Sequence, residues 1–154
     1  MVSGEPTSEK ALFRKVALAV LAAVGLARLG LSLSGVPDGV VRWLSMNVVA
    51  WLAAFAWGAV ARRSGGGYRR LLPFAFAQAL VFHGIAVLGI LLTIAGLPNI
   101  YGAPEYSGPA APNQWLHAAA HLTVGMLAVT LLWWGAACLS LFVGRKLARA
   151  TPPA

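Results

Sequence analysis

The chain has 154 residues, 59% of them apolar and only 10% charged, with twelve Lys and Arg against four Asp and Glu for a net charge of +8. Together with a mean hydropathy of +0.75, this leaves too little polar surface to keep a globule of that size in water, and it places the chain in the membrane class. The charge does not argue for nucleic acid, because ten of the twelve basic residues fall in three clusters at the ends of apolar runs, the pattern of membrane topology and of attraction to anionic headgroups.

The first cluster, Lys10, Arg14 and Lys15, precedes a first apolar span over about 15–34. This run is longer than a signal-peptide core, contains Arg28 and is followed by no small-x-small cleavage site, so it is expected to stay in the mature protein. Arg28 lies about six residues before the far end of the span, roughly 9 Å deep at ~1.5 Å per residue. A charge there is costly unless it snorkels or finds a partner, so Arg28 is expected to face the bundle and to pair with Asp38, Glu105 or an anionic ligand. Met1–Ser8 and Ala150–Ala154 read as short disordered tails.

Gly35 to Gly39 make a tight turn into span 2, over about 41–61. Arg42 and Trp43 stand at its interfacial end. Asn47 is expected to face inward above Ala50, Ala54 and Gly58, a small-residue stripe suited to close helix packing. Arg62, Arg63, Arg69 and Arg70 flank the Ser64–Gly67 turn that leads to span 3, about 71–95. Near its middle lies His83, the deepest ionisable residue, and a buried imidazole needs a partner.

About 19 residues, 96–114, connect spans 3 and 4. They hold Pro98, Pro104, Pro109, Pro112, Tyr101, Tyr106 and Glu105, a composition that favours an ordered lid over the mouth of the bundle. Span 4, about 115–143, opens with His117 and His121, four residues apart and so on one helix face. An unbroken α-helix continues that face through Gly125, Ala128, Leu132 and Gly135, which implies a close-packed inward stripe. Arg145, Lys146 and Arg149 follow. Cys138 is the only cysteine, so no intramolecular disulfide forms.

The expected fold is an all-α integral membrane protein: one four-helix up-down transmembrane domain over residues 1–154, with short loops placing consecutive helices side by side. The positive-inside rule puts both termini in the cytoplasm and suits a bacterial inner membrane. The polar residues that basic flanks do not explain gather in the outer half: Arg28, Arg42, Asn47, Glu105, His117 and His121. They form a candidate outward-facing Arg/His pocket for a small polar or anionic ligand or a lipid headgroup. No nucleophile with an adjacent base and no phosphate-binding glycine loop is evident, which points away from a stand-alone enzyme and toward a binding or accessory subunit. Its small size favours a homo-oligomer or a larger membrane complex.

Two other readings stay open. His117, His121, His83 and Glu105 are a candidate ligand set for a metal or haem in a redox subunit, although counting from the span ends puts His83 about 18 Å deep and His121 about 9 Å, a mismatch for two axial ligands. A relay running His117, His121, His83 would instead suit a small proton-coupled transporter acting as an oligomer.

Overall fold

The structure, a computed structural model, describes residues 6–102 and 112–150. Among them all regular structure is helical. Four stretches are long and apolar enough to cross a membrane, Ser8–Leu33, Asp38–Arg63, Tyr68–Ile94 and Asn113–Ala150, as expected of an integral membrane protein.

The first stretch is α1, Pro6–Leu33, which begins in the residues expected to form a disordered tail. The second is broken. A short helix α2, Asp38–Val41, gives way at Arg42 to a turn, and α3 begins again at Met46 and runs to Arg63. The break arises at Ser45, whose extended backbone and hydroxyl cap α3: Val48 N–H donates to Ser45 Oγ at 3.4 Å. After the glycine turn, a single 3-10 turn, Tyr68–Leu71, feeds α4, Leu72–Ile94, with Pro73 in its first turn where no intrahelical N–H is required. The last stretch is one continuous rod: α5, Pro112–Ala120, a π-helical turn, His121–Gly125, and α6, Met126–Ala150.

Contacts between helix ends show the alternation of direction. Phe13 near the start of α1, Trp57 near the end of α3 and Phe74 near the start of α4 form one aromatic cluster, with ring centroids 5.1–5.9 Å apart. Arg62 Nη1 donates to Gly144 O of α6 at the same end, which carries the basic clusters. The neighbours differ from simple hairpin order. α3 packs most extensively on α6, α1 packs on α3 and α4, and α4 packs on α5 and α6, whereas α3 and α4 barely touch despite the short turn between them.

Gly58 explains the diagonal. A Cβ at that position would overlap the carbonyl oxygen of Ala137, so the backbones of α3 and α6 are in direct contact there, and Ser140 Oγ donates to Phe55 O at 2.7 Å beside it. With α6 seated on α3 at Gly58, α4 meets α3 nearer the other end of the small-residue face, where Gln78 Nε2 donates to Ala50 O at 3.1 Å. The turn is fastened to α6 as well: Arg145 Nη2 donates to Gly66 O at 2.8 Å, and Trp134 Nε1 to Tyr68 O at 3.0 Å.

The π turn revises the inward stripe of the last helix. Ala128, Leu132 and Gly135 are exposed, and the buried positions are Thr130, Trp133, Ala136, Ala137 and Leu141. One extra residue in a turn advances the following helix face by one position, about 100°, so the residue after each projected one turns inward. Asn47, expected to face inward, is exposed, while Met46 beside it is buried with Ala50 and Ala54.

Candidate functional site

The end of the bundle opposite the basic clusters holds two separate polar assemblies. The first is built by the start of the α4–α5 connection. Gly96, at φ +89, turns the chain back. Asn99 then clamps it, its Nδ2 donating to Gly89 O at 2.7 Å and to Thr93 Oγ1 at 3.0 Å while its Oδ1 accepts from Tyr101 N at 3.1 Å. Ile100 N donates to Ser32 Oγ of α1 at 2.8 Å, and the Tyr101 hydroxyl reaches Met46 Sδ of α3 at 3.3 Å. Gly89 is needed beneath this turn, because a Cβ there would lie 2.6 Å from the Tyr101 ring and 2.9 Å from Asn99 Oδ1.

Arg28 belongs to this assembly. Its guanidinium lies 5.5 Å from the centre of the Tyr101 ring, and its Nε is buried without a hydrogen-bond partner among the described residues. Burial pushes the Tyr101 phenol above its ordinary value, with Arg28 pulling the other way. Asp38 and Arg42 are exposed, and Glu105 lies outside the described residues, as does the rest of the expected lid from 103 to 111.

The second assembly contains all three histidines. His83 of α4 and His121 of the π turn meet with their Nδ1 atoms 2.7 Å apart, and His121 Nε2 lies 3.1 Å from Nε2 of His117, one turn up α5. The ring centroids are 5.0 and 4.9 Å apart. The depth mismatch read from the sequence is therefore absent. The last helix begins at Pro112 rather than Trp115, and counting from the true helix ends puts His121 about 14 Å and His83 about 17 Å along their helices.

The π turn brings His121 against α4, and Gly125 lets α4 come close, since a Cβ there would stand 3.1 Å from both Ala120 O and His83 Cε1. His83 is only 3% exposed, and its Nε2 makes no hydrogen bond. Phe82 meets His83 edge-on at 5.2 Å and Trp133 at 5.6 Å, giving the imidazole an apolar wall.

Beside these rings lies a groove of about 520 Å³, lined by the three histidines, Asn113, Leu116, Ala120, Val124 and Gly125. Among the described residues none that lines it is charged. Leu116 and Val124 are 71% and 73% exposed, so the lips are apolar side chains on the outer surface of the bundle. Polar nitrogens at the floor and aliphatic lips suit an amphipathic molecule entering from the side. Neither Arg28 nor Arg42 nor Asn47 lines this groove; the expected composite Arg/His pocket resolves into a histidine groove on α4–α5 and an arginine–tyrosine assembly on α1, α3 and α4.

The histidines are not arranged as a chelate. His121 engages its two neighbours through opposite ring nitrogens, so the three donors do not converge on a point. The 2.7 Å contact is a hydrogen-bond length, shorter than the roughly 3.4 Å between two nitrogens on a tetrahedral metal with bonds of about 2.0–2.1 Å, and leaves no room for iron between two axial ligands. Among the described residues no group of three or more His, Cys, Asp or Glu is placed to hold a metal ion. The sequence identified the three histidines, while Asn113, Leu116, Ala120 and Val124 carried no signal beyond their position on the turns that flank His117 and His121.

No protein-family model, curated protein or solved structure matches this chain.

Proposed function

We propose that the protein is a non-enzymatic binding or accessory subunit of a membrane, holding an amphipathic molecule in the α4–α5 groove with its polar headgroup on the histidines and its apolar part between Leu116 and Val124. The observation that carries this reading is the juxtaposition of three hydrogen-bonded imidazoles with exposed aliphatic lips around about 520 Å³. A headgroup bearing a hydroxyl, carboxylate or phosphate oxygen gives the imidazoles a hydrogen-bonding partner. The positive-inside pattern of the basic clusters supports a bacterial inner membrane with cytoplasmic termini, the groove then lying in the outer half.

The test is extraction and mass spectrometry of molecules retained by the protein purified in mild detergent. The expected result is one enriched amphiphile, lost from the His117→Ala/His121→Ala variant and retained by Arg28→Ala. Equal retention by the double-histidine variant and the unaltered protein would overturn the site, and loss from Arg28→Ala alone would move it to the Tyr101 assembly.

A further inference from the structure

The basic end of the bundle carries a groove of a different kind, away from the histidines. It is a crease of about 400 Å³ between α3 and α6, walled by Phe55, Ala59, Leu139, Val143 and Leu147, with Arg62 also lining it. Phe55, Ala59 and Arg62 share one face of α3, and Leu139, Val143 and Leu147 share one face of α6, so the crease follows both helices for roughly 10–12 Å at ~1.5 Å per residue. Its chemistry changes along that length. In the deeper part the hydroxyl that lines it, Ser140 Oγ, already donates to Phe55 O at 2.7 Å, which leaves apolar walls. In the last turn of α3, Arg62 lies across α6 because position 144 is glycine: a Cβ there would stand 2.7 Å from Arg62 Cδ and 3.0 Å from its Nε. Arg62 Nη1 donates to Gly144 O at 3.3 Å, which holds the guanidinium at the crease while engaging only one of its N–H donors. Among the described residues no acid lines the crease, so the charge has no carboxylate to satisfy it there.

We propose that this crease binds an anionic phospholipid from the leaflet at the basic end of the bundle, with the phosphate on Arg62 and one acyl chain between the apolar walls. A planar guanidinium matches two oxygens of a phosphate, and it supplies the donors that Gly144 O leaves unused. The order of groups fits the order of a bilayer: the cation sits in the last turn of its helix, at headgroup depth, and the chain runs from there past Ala59 and Val143 to Phe55 and Leu139. Charge selects the headgroup class. Ten of the chain's twelve Lys and Arg gather at this end, so a zwitterionic headgroup brings an amine into repulsive surroundings, whereas a headgroup charged only at its phosphate is drawn in. The bond from Ser140 to Phe55 and the backbone contact at Gly58 keep α3 and α6 together at the deep end, so the crease is formed before any lipid enters. Neither the site nor its occupant depends on what fills the α4–α5 groove.

The experiment is native mass spectrometry of the full chain in detergent, titrated with phosphatidylglycerol or with phosphatidylcholine of the same acyl chains. The first phosphatidylglycerol is expected to bind about fivefold or more tightly than the first phosphatidylcholine. Arg62→Ala is expected to weaken phosphatidylglycerol binding about tenfold, the effect of losing a charge-assisted hydrogen bond. Arg63→Ala removes the same charge from the next residue, which does not line the crease, and is expected to change binding by less than about twofold. Ala59→Phe fills the crease while keeping every charge, and is expected to weaken binding as much as Arg62→Ala. The His117→Ala/His121→Ala variant is expected to bind phosphatidylglycerol like the unaltered protein, so the two grooves are tested separately. Equal losses in Arg62→Ala and Arg63→Ala would show diffuse attraction to a basic surface and overturn the site. Full affinity in Ala59→Phe would overturn the seat for the chain, and equal affinity for the two lipids would overturn the headgroup class. If Ala59→Phe fails to fold, the comparison of Arg62→Ala with Arg63→Ala still decides.

Discussion

Gly58→Ala tests the contact that sets the helix arrangement. The new methyl would meet the Ala137 carbonyl and, at 2.8 Å, Ser140 Cβ. The carbonyl is main chain in the middle of α6 and has no rotamer with which to move aside, so α3 and α6 must separate. Overpacking of this kind costs about 1–3 kcal/mol. Separation also stretches the 2.7 Å bond from Ser140 Oγ to Phe55 O, for another ~0.5–1.5 kcal/mol. Opposing this, alanine is a better helix former than glycine by ~1 kcal/mol. The net expectation is a loss of about 1–3 kcal/mol, of which 2 kcal/mol would be roughly a 30-fold fall in the folded-to-unfolded ratio. The assay is equilibrium unfolding in mixed micelles followed by tryptophan fluorescence, with Gly135→Ala as the comparison. Gly135 is also within α6, but nothing lies within 4 Å of its virtual Cβ, so that substitution is expected to be neutral or stabilising by up to ~1 kcal/mol. A Gly58→Ala protein as stable as the Gly135→Ala protein would refute direct backbone contact between α3 and α6.

Gln78 is buried, with Nε2 donating to Ala50 O at 3.1 Å and Oε1 without a partner; Gln78→Met, which fills the same space without an orphaned oxygen, is expected to lie within about 1.5 kcal/mol of the unaltered protein, and Gln78→Ala to cost about 2 kcal/mol or more through the cavity, both read by the same unfolding curves. Asn99→Ala removes the clamp on Gly89, Thr93 and Tyr101, and is expected to speed amide exchange at Ile100 and Tyr101 by tenfold or more while leaving that of α4 around His83 unchanged. Gly125→Ala must push Ala120 O or the His83 ring back by a few tenths of an ångström; retention of the groove amphiphile is expected to fall severalfold with the global stability within about 1 kcal/mol, and unchanged retention would mean that the close approach at Gly125 is dispensable.

Part of the site was legible from chemistry that is rare in apolar sequence. Three histidines within otherwise hydrophobic helices stand out because each must find a polar partner, and the spacing of His117 and His121 places them on one face whatever the rest of the chain does. Their meeting with His83 was legible only as one of several open readings, the relay, because depth counted from an assumed span end carries the error of that end. The last helix starts three residues earlier than its hydrophobicity suggests. The π turn at His121–Gly125 has no sequence signature beyond a glycine, yet it rotates every residue of α6 and exposes the Ala128, Leu132 and Gly135 stripe that straight α-helical projection turns inward.

The sequence by itself determined the four apolar helices and the division of the molecule into a basic end and an end rich in other polar groups, since these follow from local composition and from the cost of placing charge in hydrocarbon. It also marked Ala50, Ala54 and Gly58 as a close-packing face. Only the tertiary structure decided which helix that face receives, because both α4 and α6 offer small residues and the choice depends on how all four helices fill space together. The same is true of the polar groups: Arg28 went to Tyr101 where α1 packs on α4, and the histidines to a lateral groove where α5 packs on α4, and which faces of α4 receive those two helices is a property of the packed bundle that no stretch of sequence contains.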